Sequence, residues 1–227
     1  MTTKDLQNGP ERAELRSLLE GGLSSLRQSL DLRQVDALLA FAELLLHWGR
    51  TYNLTAIREP REVITHHLLD CLAVVPPLQR ELAQSTERRV LDVGSGAGLP
   101  GLVIAIADPT IQVVCIDSVG KKTAFVGQAV ASLGLRNVEV VHGRVEARRA
   151  ACFDVIISRA FSSLAAFVNL TEHLLAPDGV WMAMKGKVPA EEIAVIDPER
   201  LIHVEPLVVP ELHGDRCIVR VQRLRSQ

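Results

Sequence analysis

The stretch Leu91-Asp92-Val93-Gly94-Ser95-Gly96-Ala97-Gly98-Leu99-Pro100-Gly101 follows a short apolar run and opens a helical one. Three glycines at alternating positions let a backbone turn tightly and approach a ligand closely. At the carboxyl end of a predicted strand, such a loop marks the ligand-binding edge of an α/β sheet. It constrains what this chain can fold into more than any other segment.

The flanking pattern agrees. From Arg89 onward, short apolar runs at 89–93, 112–116, 138–142, 154–158 and 180–185 alternate with helical patterns at 99–107, 121–133 and 164–175. This alternation predicts a mostly parallel sheet covered on both faces. Two late runs, 201–209 and 216–223, are separated by His213-Gly214-Asp215, a turn signal that predicts an antiparallel edge hairpin. Before Glu87 the chain reads as helical. Leu15, Leu18, Leu19, Leu23 and Leu26 recur at helical spacing, and Val35 to Leu46 resume it after Asp31, a cap candidate. A third helix is expected over 60–74, ended by Pro76 and Pro77. The division is therefore a helical extension over 1–87 and a sheet domain over 88–227.

Composition limits the classes left open. Hydrophobic residues make up 48% of the 227, too many for a disordered chain. The formal charge of −2 argues against a non-specific nucleic-acid binder, although a local basic patch stays open. Cys71, Cys115, Cys152 and Cys217 have no ligand or redox spacing and read as small core residues of a reduced, cytoplasmic protein. No metal site is expected. The polar start, Met1 to Arg16, carries no signal peptide, and no apolar run reaches the roughly 18 residues of a membrane span.

Asp117 ends the second predicted strand, 19 residues after Gly98. An acidic residue there can hold a ribose diol through two hydroxyl-to-carboxylate bonds; alternatively it caps the helix that follows. A dinucleotide fingerprint would need glycine at the position of Leu99. The pattern is instead Asp92-x-Gly94-x-Gly96-x-Gly98, which resembles the S-adenosyl-L-methionine-dependent methyltransferases with a Rossmann-like sheet. In those the acidic residue lies near the ammonium of the donor.

More segments narrow the resemblance. They are Trp48-Gly49-Arg50-Thr51-Tyr52-Asn53-Leu54-Thr55, His66-His67-Leu68-Leu69-Asp70, Asp117-Ser118 with Lys121-Lys122, Arg144-Val145-Glu146, Ser158-Arg159-Ala160-Phe161 and Lys185-Gly186. Together with the glycine loop and its Leu-Pro-Gly extension, they resemble the bacterial 16S rRNA (guanine-N(7))-methyltransferases, also called glucose-inhibited division protein B. The likeness covers roughly residues 40 to 190. It implies methyl transfer from S-adenosyl-L-methionine to ring nitrogen 7 of one guanine in 16S rRNA of the small ribosomal subunit; separately, a monomer is expected. It further implies donor contacts from Gly94 and Leu99, from Val145 and Glu146 beside the adenine, and from Arg159. Lys121-Lys122 departs from the usual Lys-Arg, which bears on a phosphate contact. Asp92, Gly96, Gly98 and Asp117 complete the expected donor site.

The chemistry fits a site without a dedicated catalyst. The donor is activated by its own sulfonium charge, and guanine nitrogen 7 offers a free lone pair. Orientation alone can supply on the order of 7–11 kcal/mol. The Asn/Asp-Pro-Pro-Tyr/Phe motif of amine methylation is absent after the fourth strand, and Cys152 lacks the context of a cytosine nucleophile. Arg159 is read as gripping the donor carboxylate or an RNA phosphate, against a plain ion pair. Phe161 stacks on the base or fills the core. Tyr52 and Asn53 are expected at the substrate mouth, with Lys121 and Lys185 on phosphate. A methyltransferase of another RNA, a protein or a small molecule remains open, as does a non-catalytic RNA-binding module.

Overall fold

The computed structural model describes residues 10–149, 152–159, 161 and 163–224, without the side chains of 10 and 50–52. Seven strands form one sheet: β1 (Arg89–Val93), β2 (Gln112–Asp117), β3 (Val138–His142), β4 (Phe153–Ser158), β5 (Leu175–Lys185), β6 (Arg200–Pro206) and β7 (Cys217–Arg223). Their spatial order is β3-β2-β1-β4-β5-β7-β6. Neighbours are parallel from β3 to β5, whereas β7 runs antiparallel to both β5 and β6. The expected mostly parallel sheet with an antiparallel edge hairpin is what the chain forms. Strand order reverses between β1 and β4, and in open sheets ligands bind at such a switch point, beyond the carboxyl ends.

Along β1, Val90 faces one core cluster and Leu91 the other, as the two-residue period of a strand requires. The first cluster gathers Val90, Val113, Ile157 and Met182 with α1 (Pro10–Ser25) and α2 (Leu32–Tyr52). The helical extension thus covers one sheet face and shares its core. Asp31 caps α2 as expected: its Oδ1 accepts from Gln34 N and Gln34 Oε1 accepts from Asp31 N, both at 2.8 Å. Asn53 ends α2 in the left-handed region at φ 51°.

The third helix differs from its expected form. It runs as α3 (Pro60–Val63), a π-helical Ile64–Leu69, and α4 (Asp70–Leu72). Leu69 packs so closely on α1 that a Cβ at Gly22 would lie 2.4 Å from its Cδ2. Pro76 and Pro77 do not stop a helix. They occupy the first turn of α5 (Val75–Glu81), where a missing N–H leaves nothing unpaired.

The sheet crossovers are α6 (Gly101–Ala107), α7 (Gly120–Leu133) and α8 (Leu164–Thr171), with a short α9 (Ala190–Ala194) after β5. The pattern expected as helix to 175 ends at Thr171, whose Oγ1 accepts from buried Trp181 Nε1 at 2.9 Å. Cys71, Cys115 and Cys217 are buried, but Cys152 is exposed: it precedes β4, outside the layer that Phe153 enters. Among the described residues no helix is long and apolar enough to cross a membrane.

Candidate active site

The glycine loop is built from β1 outward. Gly94 and Ser95 donate to Ile116 O at the end of β2, at 2.9 and 3.1 Å. Gly94, Gly96 and Gly98 adopt φ of 67°, 57° and 81°, the left-handed region that a side chain disfavours. Asp117 orders the loop: its Oδ2 accepts from Gly96 N at 2.9 Å and its Oδ1 from Val119 N at 2.8 Å. Asp117 thus holds the loop and the turn into α7, as the capping alternative expected, and each of its oxygens keeps a second lone pair. Asp92 is fully buried and its Oδ2 accepts from Gly101 N at 2.8 Å, while its Oδ1 has no partner among the described residues. Burial pushes its carboxyl up to about 7. Only glycine fits at 101, where a Cβ would meet Cys115 Sγ at 2.6 Å and Asp92 Oδ2 at 2.8 Å.

A cavity of about 410 Å³ opens beyond β1, β2 and β3. Gly94, Asp117, Val145, Glu146 and Phe161 line it, with Ile116 and Leu170 as further apolar wall. Its size falls in the range of small-molecule sites. Val145 and Glu146 sit in a 3-10 turn after β3, Val145 buried and Glu146 exposed to the cavity. Lys122 and Arg144 also face it.

A second cavity, of about 330 Å³, lies on the other side of the switch point, at the ends of β4 and β5. Arg159, His66, His67, Asp70, Lys185 and Arg216 line it. Because β7 is antiparallel, its first residue Cys217 stands opposite Lys185, and this brings Arg216 to the same edge. Asp70 Oδ1 accepts from Arg216 Nε at 3.0 Å, and its Oδ2 lies 3.8 Å from Arg159 Nη1. Arg159 Nη1 is also 3.3 Å from His67 Nδ1, and His67 Nε2 is 2.7 Å from Thr55 Oγ1.

Burial, with Arg159 beside it, pushes the His67 imidazole down from 6.5 to about 4. The unfolded chain takes up a proton near pH 6.5, whereas the folded one waits until about 4. The neutral ring therefore contributes stability in full above 6.5, and that contribution is lost as pH falls toward 4. Between pH 7 and 5, the wild type should lose on the order of 2 kcal/mol relative to a His67→Gln variant. Urea unfolding at the two pH values measures this, and equal losses would contradict it.

The residues expected to bind donor are not all together. Gly94, Asp117, Val145 and Glu146 share the first cavity, whereas Arg159 lines the second. Asp92, Gly98 and Leu99 are buried supports: Leu99 is in the core, and a Cβ at Gly98 would meet Leu102 Cγ at 2.7 Å. Gly96 enters through its N–H. Of the expected substrate residues, Phe161 borders the first cavity and packs 5.4 Å from the Phe167 ring. Lys185 lines the second cavity, with its Nζ tied to both Glu192 oxygens at 2.9 Å and to Phe161 O at 3.3 Å. Lys121 is exposed at the start of α7, and its neighbour Lys122 faces the first cavity instead. Asn53 terminates α2, and the side chain of Tyr52 lies outside the described residues. The sequence reading missed Asp70 as a partner, and it missed Arg216 and Glu192 altogether.

The family model GidB, described as rRNA small subunit methyltransferase G, matches residues 34–219. Ribosomal RNA small subunit methyltransferase G of Methylibium petroleiphilum is 54% identical over 206 residues, covering 90% of this chain and 93% of that protein. The protein of the same name from Albidiferax ferrireducens is 51% identical over 216 residues, covering 91% and 96%. Among solved structures, cofactor-bound Rv0187 from MTB aligns with a TM-score of 0.56 at 17% identity, over 86% of this chain and 92% of that one. TrmN from Thermus thermophilus aligns with a TM-score of 0.55 at 18% identity, over 71% and 53%. The structural likenesses establish the fold.

Proposed function

Because this chain belongs to the rRNA small subunit methyltransferase G family, we propose that its two edge cavities divide a methyl transfer between them. The first takes S-adenosyl-L-methionine. The second takes the acceptor, a guanine of 16S rRNA in the small ribosomal subunit, methylated at ring nitrogen 7. The observation that carries this reading is the side-by-side placement, across the switch point, of a nucleoside-sized cavity with a carboxylate at its β2 end and a cavity lined by cations.

The residues fit the donor. Asp117 can accept from ribose hydroxyls at its free lone pairs, and Glu146 from a base amine. Ile116, Val145, Leu170 and Phe161 provide apolar faces for a planar base. Asp92 lines neither cavity, so its part is to hold the start of α6 through Gly101 N behind the loop. When bound, the donor supplies a methyl group on a positively charged sulfur. The chain's part is to orient and to exclude water. Arg159 and Arg216 hold an anionic group of the acceptor, and charge-assisted contacts to phosphate fix position without reading sequence. Lys185, Glu192 and the amide of Leu164, which donates to Glu192 Oε2 at 2.6 Å, brace the segment carrying Phe161 between the cavities. Since nitrogen 7 needs no deprotonation, positioning suffices as catalysis.

The test uses purified protein, methyl-labelled donor and small ribosomal subunits lacking this methyl group, with label mapped by cleavage at 7-methylguanine. Label at one guanine of 16S rRNA is the expected result. Donor binding without label on the subunit would overturn the acceptor and favour another substrate or a binding module.

A further inference from the structure

We propose that Asp70 is a positioning residue of the transfer, a buried carboxylate that aims Arg159 and Arg216 together at one anionic group of the acceptor. This rests on the reading that the second cavity takes the acceptor.

Three separate parts of the chain meet at this carboxylate. Asp70 opens α4 immediately after the π-helical segment, Arg159 follows β4, and Arg216 precedes β7. The wider π turn carries His66 and His67 to the cavity along with Asp70, and such turns recur at functional sites. The depth ordering has a direction. The Asp70 side chain is 8% exposed, while those of Arg159 and Arg216 are 27% and 29% exposed. The carboxylate is therefore the back wall and the guanidinium groups stand toward the opening. Arg216 spends its Nε on Asp70 and its Nη1 on Asp215 O at 2.8 Å, which fixes the plane of its fork.

The charge balance points the same way. A purely structural pair needs one arginine, and here two line the cavity beside one lining carboxylate, Asp70, with buried Asp92 acting on Arg159 from outside the lining. Lys185 is matched by Glu192. The burial that holds His67 neutral removes it from the balance. The formal count over the lining side chains and Glu192, histidines taken as neutral, leaves one positive charge at the cavity, which suits a single phosphodiester.

Removing the carboxylate while keeping its shape separates aim from attraction. In Asp70→Asn both cations stay and a negative charge goes, so ground-state attraction to RNA persists while orientation is lost. Orientation acts on the transition state, and its loss appears in kcat. With subunits lacking the methyl group and saturating donor, kcat should fall about 30-fold or more, with KM within about threefold of wild type or lower. Donor Kd should stay within about twofold. Arg216→Lys keeps the charge and loses the fixed fork, so it should show the same split. It decides the matter by the same criteria if Asp70→Asn does not fold by thermal melting. A kcat within threefold of wild type, a raised KM with kcat retained, or donor affinity falling in step with activity would each overturn the proposal. A wild type that places no label on the subunit would instead remove the reading beneath it. Wild-type labelling with a normal Asp70→Asn would remove the proposal alone.

Discussion

Valine at position 94 is expected to abolish donor binding while leaving the fold standing. No atom lies within 4 Å of a Cβ built on Gly94, so the side chain enters open space, and that space is the first cavity. The folded state bears only the strain of a side chain at φ 67°, on the order of 1–3 kcal/mol. For a chain of this size that lowers Tm by roughly 2–4 °C per kcal/mol. Titration calorimetry of Gly94→Val with S-adenosyl-L-methionine should show affinity at least about 100-fold weaker, equivalent to some 2.7 kcal/mol. Wild-type affinity would mean that the donor does not lie against this loop.

Arg159→Ala is expected to lower kcat/KM on the small subunit by about 100- to 1000-fold, because an oriented, charge-assisted contact to the acceptor is lost. Stability should change little. The arginine is partly exposed at 3.8 Å from Asp70, and Asp70 keeps its closer partner Arg216 at 3.0 Å. Activity per folded molecule and Tm are measured on the same preparation. Normal activity with a large fall in Tm would assign Arg159 to the ion pair alone.

These expectations mix what the sequence made visible with what it hid. The glycine loop and Asp117 were legible because each is local: a strand end, a turn that needs left-handed backbone, an acid at the next strand end. Asp31 was legible for the same reason, as a cap three residues before Gln34. The second cavity was not. Its central hydrogen bond joins Asp70 to Arg216, 146 residues apart, and no short-range pattern encodes that pairing. Lys185 looked like a free cation because its partner Glu192 sits on a helix too short to show a period. The π segment escaped for a subtler reason. Its apolar residues fit an α pattern well enough over one turn, and only packing on α1 and α2 accompanies the wider winding. Pro76 and Pro77 misled because a proline pair reads equally as a stop or as a first turn.

The order of strands in space also has a consequence in time. β6 is made before β7, yet its neighbour in the sheet is β7, which separates it from β5. Until β7 is in place, β6 has no strand to join and β5 keeps a bare edge. The sheet is completed only once Cys217–Arg223 has slotted between them. Arg216 enters the second cavity in that same step, so a partly formed sheet without β7 has the glycine loop but only one of the two arginines that face Asp70.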